Sequence, residues 1–135
     1  MPEALPPVEF AFPGPLRERI LAAVESGAKT ATSSLLLEYE VVGEPIPVVG
    51  DRGVAIDSEG TPRFIVETTQ VTVVRLADVP VDHALAEGEG YHSVEDWRTG
   101  HARFWTSAEM RTDLGDDFEL NDDTLVVLER FKIVR

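Results

Sequence analysis

The densest group of side chains able to do chemistry is Lys29, Thr30, Thr32, Ser33 and Ser34, set just past a helix stop and hemmed in by apolar segments. A lysine partly withdrawn from water can lose its proton and serve as a base toward a nearby hydroxyl such as that of Thr32. Kept charged, it can instead hold an anionic oxygen, helped by free backbone N–H groups of the turn. The same run also reads as a solvated turn whose Ser and Thr side chains simply cap the next helix.

Glu67, Glu87 and Glu89 are the acidic candidates. Glu67 interrupts the uncharged β stretch Ile65-Val66-Glu67-Thr68-Thr69, so it either faces solvent or is buried with a partner, for which Lys29 is suitable. Glu87 and Glu89 flank Gly88 on a loop that could reach over a cleft, and at least one of the two is expected to be plain surface charge. The histidines at 83, 92 and 101 do not share one helical face, and neither cysteine nor an HxxxH spacing supports a metal site, so none is expected. Trp97 and Trp105 could stack on a base, although aromatics at helical spacing more often fill a core.

These residues depend on a simple order of elements. Residues 1–14 form an extended proline-rich arm, because Pro2, Pro6, Pro7 and Pro13 oppose a helix. A helix follows over 16–26, with Pro15 suited to its first turn and Gly27 as its stop. Ser33 or Ser34 is placed to cap a short second helix ending near Gly43. Val54 and Ile56 alternate as in a strand, residues 57–60 signal a turn, and 63–75 read as a long strand or a bulged pair. Pro80 precedes a weak helix around 82–87, and Ser93 with Asp96 opens another. Its stripe is Val94, Trp97, His101, Phe104, Trp105 and Ala108. Residues 124–134 form a final strand with Leu125, Val127, Phe131 and Ile133 on one side. Strands are not regularly interleaved with crossover helices, so the pattern favours a small, mainly antiparallel sheet or barrel with packed helices over a doubly wound sheet.

A chain of 135 residues suits one domain. Its net charge of -13 repels polyanions at long range, which argues against gripping duplex DNA by its phosphates but leaves room for a local cationic pocket. The absence of cysteine favours a reducing cytoplasm. No run of about 18 apolar residues suggests a membrane span, and the N-terminus lacks the basic region of a signal peptide.

The segment Gly27-Ala28-Lys29-Thr30-Ala31-Thr32 resembles the G-x-K-T-x-T motif of ASCH domains. The likeness continues through Ser33-Ser34-Leu35-Leu36, Glu38-Tyr39-Glu40, Val49-Gly50-Asp51, Ile65-Val66-Glu67-Thr68-Thr69, Ala86-Glu87-Gly88-Glu89-Gly90, Trp97-Arg98 with His101 and Phe104, and Glu129-Arg130-Phe131. Seven segments in order carry far more weight than the lysine motif alone. The chain resembles the longer bacterial form of the domain over about residues 15–135. That resemblance implies an α+β fold, a small mixed or antiparallel PUA-like β-barrel with flanking helices, and a cleft floored by the lysine motif.

It also implies an RNA-associated ligand: a small nucleoside or nucleotide, or single-stranded RNA, with no cofactor. A short bacterial group in the family resembles amidohydrolases of N4-acetylcytidine that use a lysine, a threonine and a glutamate; these match Lys29, Thr32 and Glu89. On that carry-over Thr32 attacks the acyl carbon, Lys29 takes its proton and Glu89 serves the leaving amine. Thr30, Ser33, Glu67, Trp97, Arg98 and His101 are then candidates for holding substrate. The short group carries an arginine where this chain has Ser33 and Ser34, and it lacks the Trp97–His101 helix, so the substrate need not be shared. Two other readings follow from the resemblance: a metal-dependent single-strand ribonuclease, and a binding module without catalysis.

Overall fold

The computed structural model describes residues 5–134; residues 1–4 of the arm, with Pro2, and Arg135 lie outside that range. Helix α1 (Pro15–Ser26) begins on its proline and ends at Gly27, whose φ of 87° is a left-handed conformation that glycine adopts without a Cβ penalty. Its Ile20, Leu21 and Val24 are buried, as the spacing requires.

The run after Gly27 departs from the expected turn. Residues Ala31–Leu35 form strand β2, followed directly by helix α2 (Leu36–Val42). Neither Ser33 nor Ser34 caps that helix; the Glu38 carboxylate turns back and accepts from the Leu35 N–H at 2.7 Å. Local propensity misleads here because β2 gains its hydrogen bonds from a distant partner, β5 (Leu125–Val134).

Strand β3 (Arg52–Ile56) and the long β4 (Pro62–Arg75) form a hairpin, and β4 carries a bulge between Thr68 and Gln70 where it pairs with β5. Strand β1 (Pro7–Val8) runs parallel to β3. The sheet order is β1-β3-β4-β5-β2, a mixed five-stranded sheet curled into a half-barrel, with β2 at one edge. Three helices, α3 (Val81–Ala86), α4 (Val94–Trp105) and α5 (Ala108–Leu114), fill the long connection from β4 to β5. Ser93 caps α4 by accepting from the Asp96 N–H. The apolar stripe does not run on to Ala108, because α4 stops at Trp105 and Ser107 caps α5 anew.

Two apolar clusters lie on the two faces of this sheet. Leu35, Trp97, Trp105, Val126 and Leu128 belong to one, and Ile20, Leu21, Val24, Val66 and Phe131 to the other. Strand β5 is therefore buried on both faces rather than on one, with Val126, Val127 and Leu128 all inside and Leu125 exposed. Among the described residues, no helix is long and apolar enough to cross a membrane.

The described part of the proline-rich arm packs on its own domain. Buried Arg17 of α1 fixes it, donating to the carbonyls of Phe10 (3.2 Å), Ala11 (2.8 Å) and Asp57 (3.2 Å). Replacing Arg17 with Met should leave these carbonyls unpaired and cost on the order of 3 kcal/mol. Urea unfolding measures that loss; a change near zero would mean that the arm contributes nothing to stability.

Candidate functional site

Lys29 sits between the ends of two helices. Its backbone N–H donates to the Ala23 carbonyl of α1, and the next N–H, of Thr30, donates to Ala86 at the end of α3. The loop after α3 can come this close because Gly88 has no side chain; a Cβ there would run into the Ala28 carbonyl. The clamp directs the lysine inward, and it is only 2 % exposed. Its ammonium donates to Glu89 Oε2 at 2.9 Å and to the Glu87 carbonyl at 3.3 Å, with Glu87 Oε1 3.6 Å away.

Glu87 is the most enclosed member, with no exposed surface. Its Oε2 accepts from Ser33 Oγ of β2 (2.6 Å) and from the indole N–H of Trp97 on α4, and lies 3.1 Å from His83 Nε2 of α3. His83 Nε2 also lies 2.7 Å from Ser33 Oγ. The other oxygen, Oε1, is 3.1 Å from His101 Nε2. The second ring nitrogen of His101, Nδ1, lies 3.0 Å from the Trp97 carbonyl, which can only accept, so Nδ1 bears a proton. Burial alone pushes the Glu87 carboxyl up. The hydrogen bonds from His101 and His83, with the charges of His101 and Lys29, outweigh it and hold the group well below the usual carboxylate range.

The cluster opens to solvent at Glu89 and His101, whose side chains are 19 % and 12 % exposed. His101 stacks on Trp97 with ring centres 4.4 Å apart, and Tyr91 lies 5.7 Å away on the other side. Burial, then the carboxylates of Glu89 and Glu87, push the Tyr91 phenol up to about 12, so it remains a hydrogen-bond donor at neutral pH. Lys29 also borders a hollow of about 290 Å³ lined by Gly27, Thr30 and Phe131.

Five of the residues expected from sequence thus meet: Lys29, Glu89, Ser33, Trp97 and His101. Thr32 is adjacent along the chain, but the strand pleat turns it to the opposite face from Ser33. Thr30 is exposed, its hydroxyl 3.4 Å from the Ala86 carbonyl. Glu67 does not pair with Lys29; it is held by Arg52 at 2.8 Å and Lys132 at 3.6 Å, on a different part of the sheet. Arg98 points away along α4 and pairs with Asp122 at 2.6 Å. Sequence reasoning named Glu87 only as an acidic candidate without a role, and it passed over His83. Their four-residue spacing, which puts both on one face of a helical turn, was the available signal. No group of three or more His, Asp or Glu side chains among the described residues is arranged to hold a metal ion.

The ASCH domain model matches residues 9–135. The crystal structure of an ASCH domain from Lactobacillus crispatus JV V101 superposes with a TM-score of 0.82 at 31% identity, covering 96% of this chain and 79% of that one. A protein from Enterococcus faecalis V583 gives a TM-score of 0.74 at 31% identity, covering 86% of this chain and 67% of the other. No match was found among curated proteins. The chain belongs to the ASCH domain family.

Because the Glu87 carboxyl is depressed in the folded state, its stabilisation is complete above the ordinary glutamate value of 4.5 and is lost as pH falls through the lower, folded value. Glu87→Gln should flatten the acid side of the stability–pH curve. At pH 7 it should cost about 3–5 kcal/mol, because the buried Lys29 loses a counter-charge. Urea titrations across pH check both effects, and parallel acid limbs for the two proteins would contradict them.

Proposed function

We propose that this ASCH domain takes a nucleoside, free or within single-stranded RNA, and hydrolyses the acyl amide of an N4-acetylcytidine-like base. The observation that carries this reading is the Lys29–Glu89 pair, 2.9 Å apart at the half-open edge of β2, three residues before Thr32. ASCH domains are generally RNA-binding proteins of the PUA-like class, which favours a nucleoside as ligand. An uncharged nucleoside also suits a chain of net charge -13 better than a long polyanion does.

In this reading Thr32 Oγ1 attacks the acyl carbon and the amide becomes an ester that water then hydrolyses. Lys29 takes a different part from the base expected on sequence grounds. An ammonium that already donates to Glu89 and to a carbonyl is a fixed donor rather than a base, and the hollow it borders with Thr30 and Phe131 is the route by which an acyl oxygen held at Thr32 would reach it. Glu89 aims that ammonium, and its partial exposure lets it meet the substrate.

Incubation with N4-acetylcytidine, followed by chromatography of cytidine, tests the activity. Wild type should turn over, Thr32→Ala should be inactive, and Glu89→Gln should lose roughly 10²–10³-fold in kcat by releasing the ammonium. Absence of cytidine at high enzyme concentration would refute the hydrolase. Binding of cytidine or single-stranded RNA by both wild type and Glu89→Gln, without product, would assign the chain to the non-catalytic class.

A further inference from the structure

Thr32 needs a group to receive its proton, and the cross-strand register supplies one. Thr32 lies directly opposite Glu129 of β5, and residues so paired share a face of the sheet with Cβ atoms about 4.5–5.5 Å apart. Ser34, of the same parity as Thr32, hydrogen-bonds the Tyr39 hydroxyl of α2 at 2.8 Å. Thr68, of the neighbouring strand β4, donates from Oγ1 to Glu129 Oε2 at 2.6 Å. The result is a compact polar patch of Thr32, Ser34, Tyr39, Thr68 and Glu129, on the opposite face of β2 from the Glu87 cluster. Thr32 and Glu129 are both half-buried, so neither is sealed from a ligand. Among the described residues, no cation pairs with Glu129.

We infer that Glu129 is the base that takes the proton of Thr32, an assignment that rests on the nucleophile proposed above. One carboxylate oxygen is steadied by Thr68, leaving the other free to accept from the Thr32 hydroxyl. Burial raises the Glu129 carboxyl above its ordinary value; the Thr68 hydrogen bond opposes the rise, and the charge of nearby Asp51 adds to it. A base brought closer to working pH accepts a proton more readily than an ordinary surface carboxylate.

The proton count closes. As Oγ1 bonds to the acyl carbon, its proton passes to Glu129. The C–N bond then breaks and Glu129 returns that proton to the leaving nitrogen, leaving an ester on Thr32. Water attacks the ester carbon and loses a proton to Glu129, which restores it to the Thr32 oxygen as the acid departs. No metal, reductant or further reactant is consumed. The groups that face Glu129 and shape its titration are Asp51, from the segment before β3, and Tyr39, from α2.

Two readouts test the assignment. The first is the pH profile of N4-acetylcytidine hydrolysis; the second is acetylation of Thr32 by p-nitrophenyl acetate, followed by peptide mass spectrometry. Glu129→Gln removes a charge that burial disfavours, so it should fold, which circular dichroism checks. It should lower kcat roughly 10²–10⁴-fold with KM little changed and slow Thr32 acetylation in parallel. Thr68→Val removes the hydrogen bond that lowers the Glu129 carboxyl, so the acid limb of kcat/KM should move to higher pH, a displacement that loss of packing alone does not produce. Wild-type turnover that persists in Glu129→Gln would overturn the assignment and leave the hydrolase standing. Glu129-dependent acetylation of Thr32 without amide turnover would uphold the base and remove the substrate. Failure of Thr32 to acetylate in wild type would overturn the base as well.

Discussion

The structure depends on one carboxylate taken wholly out of water. An isolated buried carboxylate is too costly to keep, so Glu87 persists only because donors from every side reach it. Ser33 comes from β2, His83 from α3, Trp97 and His101 from α4, and Lys29 from the turn before β2. The donors come from three stretches of the chain, around residues 29–33, 83 and 97–101. Glu87 therefore fixes how the helical connection between β4 and β5 sits against the sheet edge. The desolvation cost makes the arrangement specific, because any displacement that strips one donor leaves charge unsatisfied.

Strand β2 separates two kinds of chemistry by its pleat alone. Ser33 faces the enclosed ionic cluster, whose groups are already committed to one another. Thr32 and Ser34 face the patch that contains buried Thr68 together with Tyr39 and Glu129, which are half-buried. A locked set beside an accessible one is the arrangement expected of a scaffold that positions reactive side chains. Lys29 precedes that strand, and Glu89 meets its ammonium from the loop after α3.

Much of the fold could be read from residue order. Pro15 and Gly27 bracket α1, Ser93 caps α4, and the β-rich run through residue 75 is a single bulged strand. The lysine motif is not built as the turn its residues suggest. The run Lys29–Ser34 looks like a turn because its residues favour turns, and only the ladder to β5, almost a hundred residues away, makes it a strand. Glu67 could face solvent or be buried with Lys29 on sequence grounds; the partners that hold it, Arg52 and Lys132, come instead from adjacent strands. Glu87 and Glu89 look alike in sequence. What separates them is Trp97, His101 and Ser33 converging on one and not the other, a long-range fact that spacing does not encode. Glu129 was legible only as part of a family likeness; its relation to Thr32 needs the register.

The chain contains two lysines, which makes the central claim directly measurable. Nitrogen-15 NMR of the side-chain ammonium groups compares Lys29, enclosed by Glu87 and Glu89, with Lys132, whose side chain is 62% exposed. The account predicts a Lys29 ammonium signal that exchanges slowly with water at neutral pH and broadens when Glu87 is replaced by Gln, while Lys132 exchanges too fast to be seen. Exchange at Lys29 as rapid as at Lys132 would mean that the ammonium is open to bulk water, and the ionic cluster around Glu87 would not exist as described.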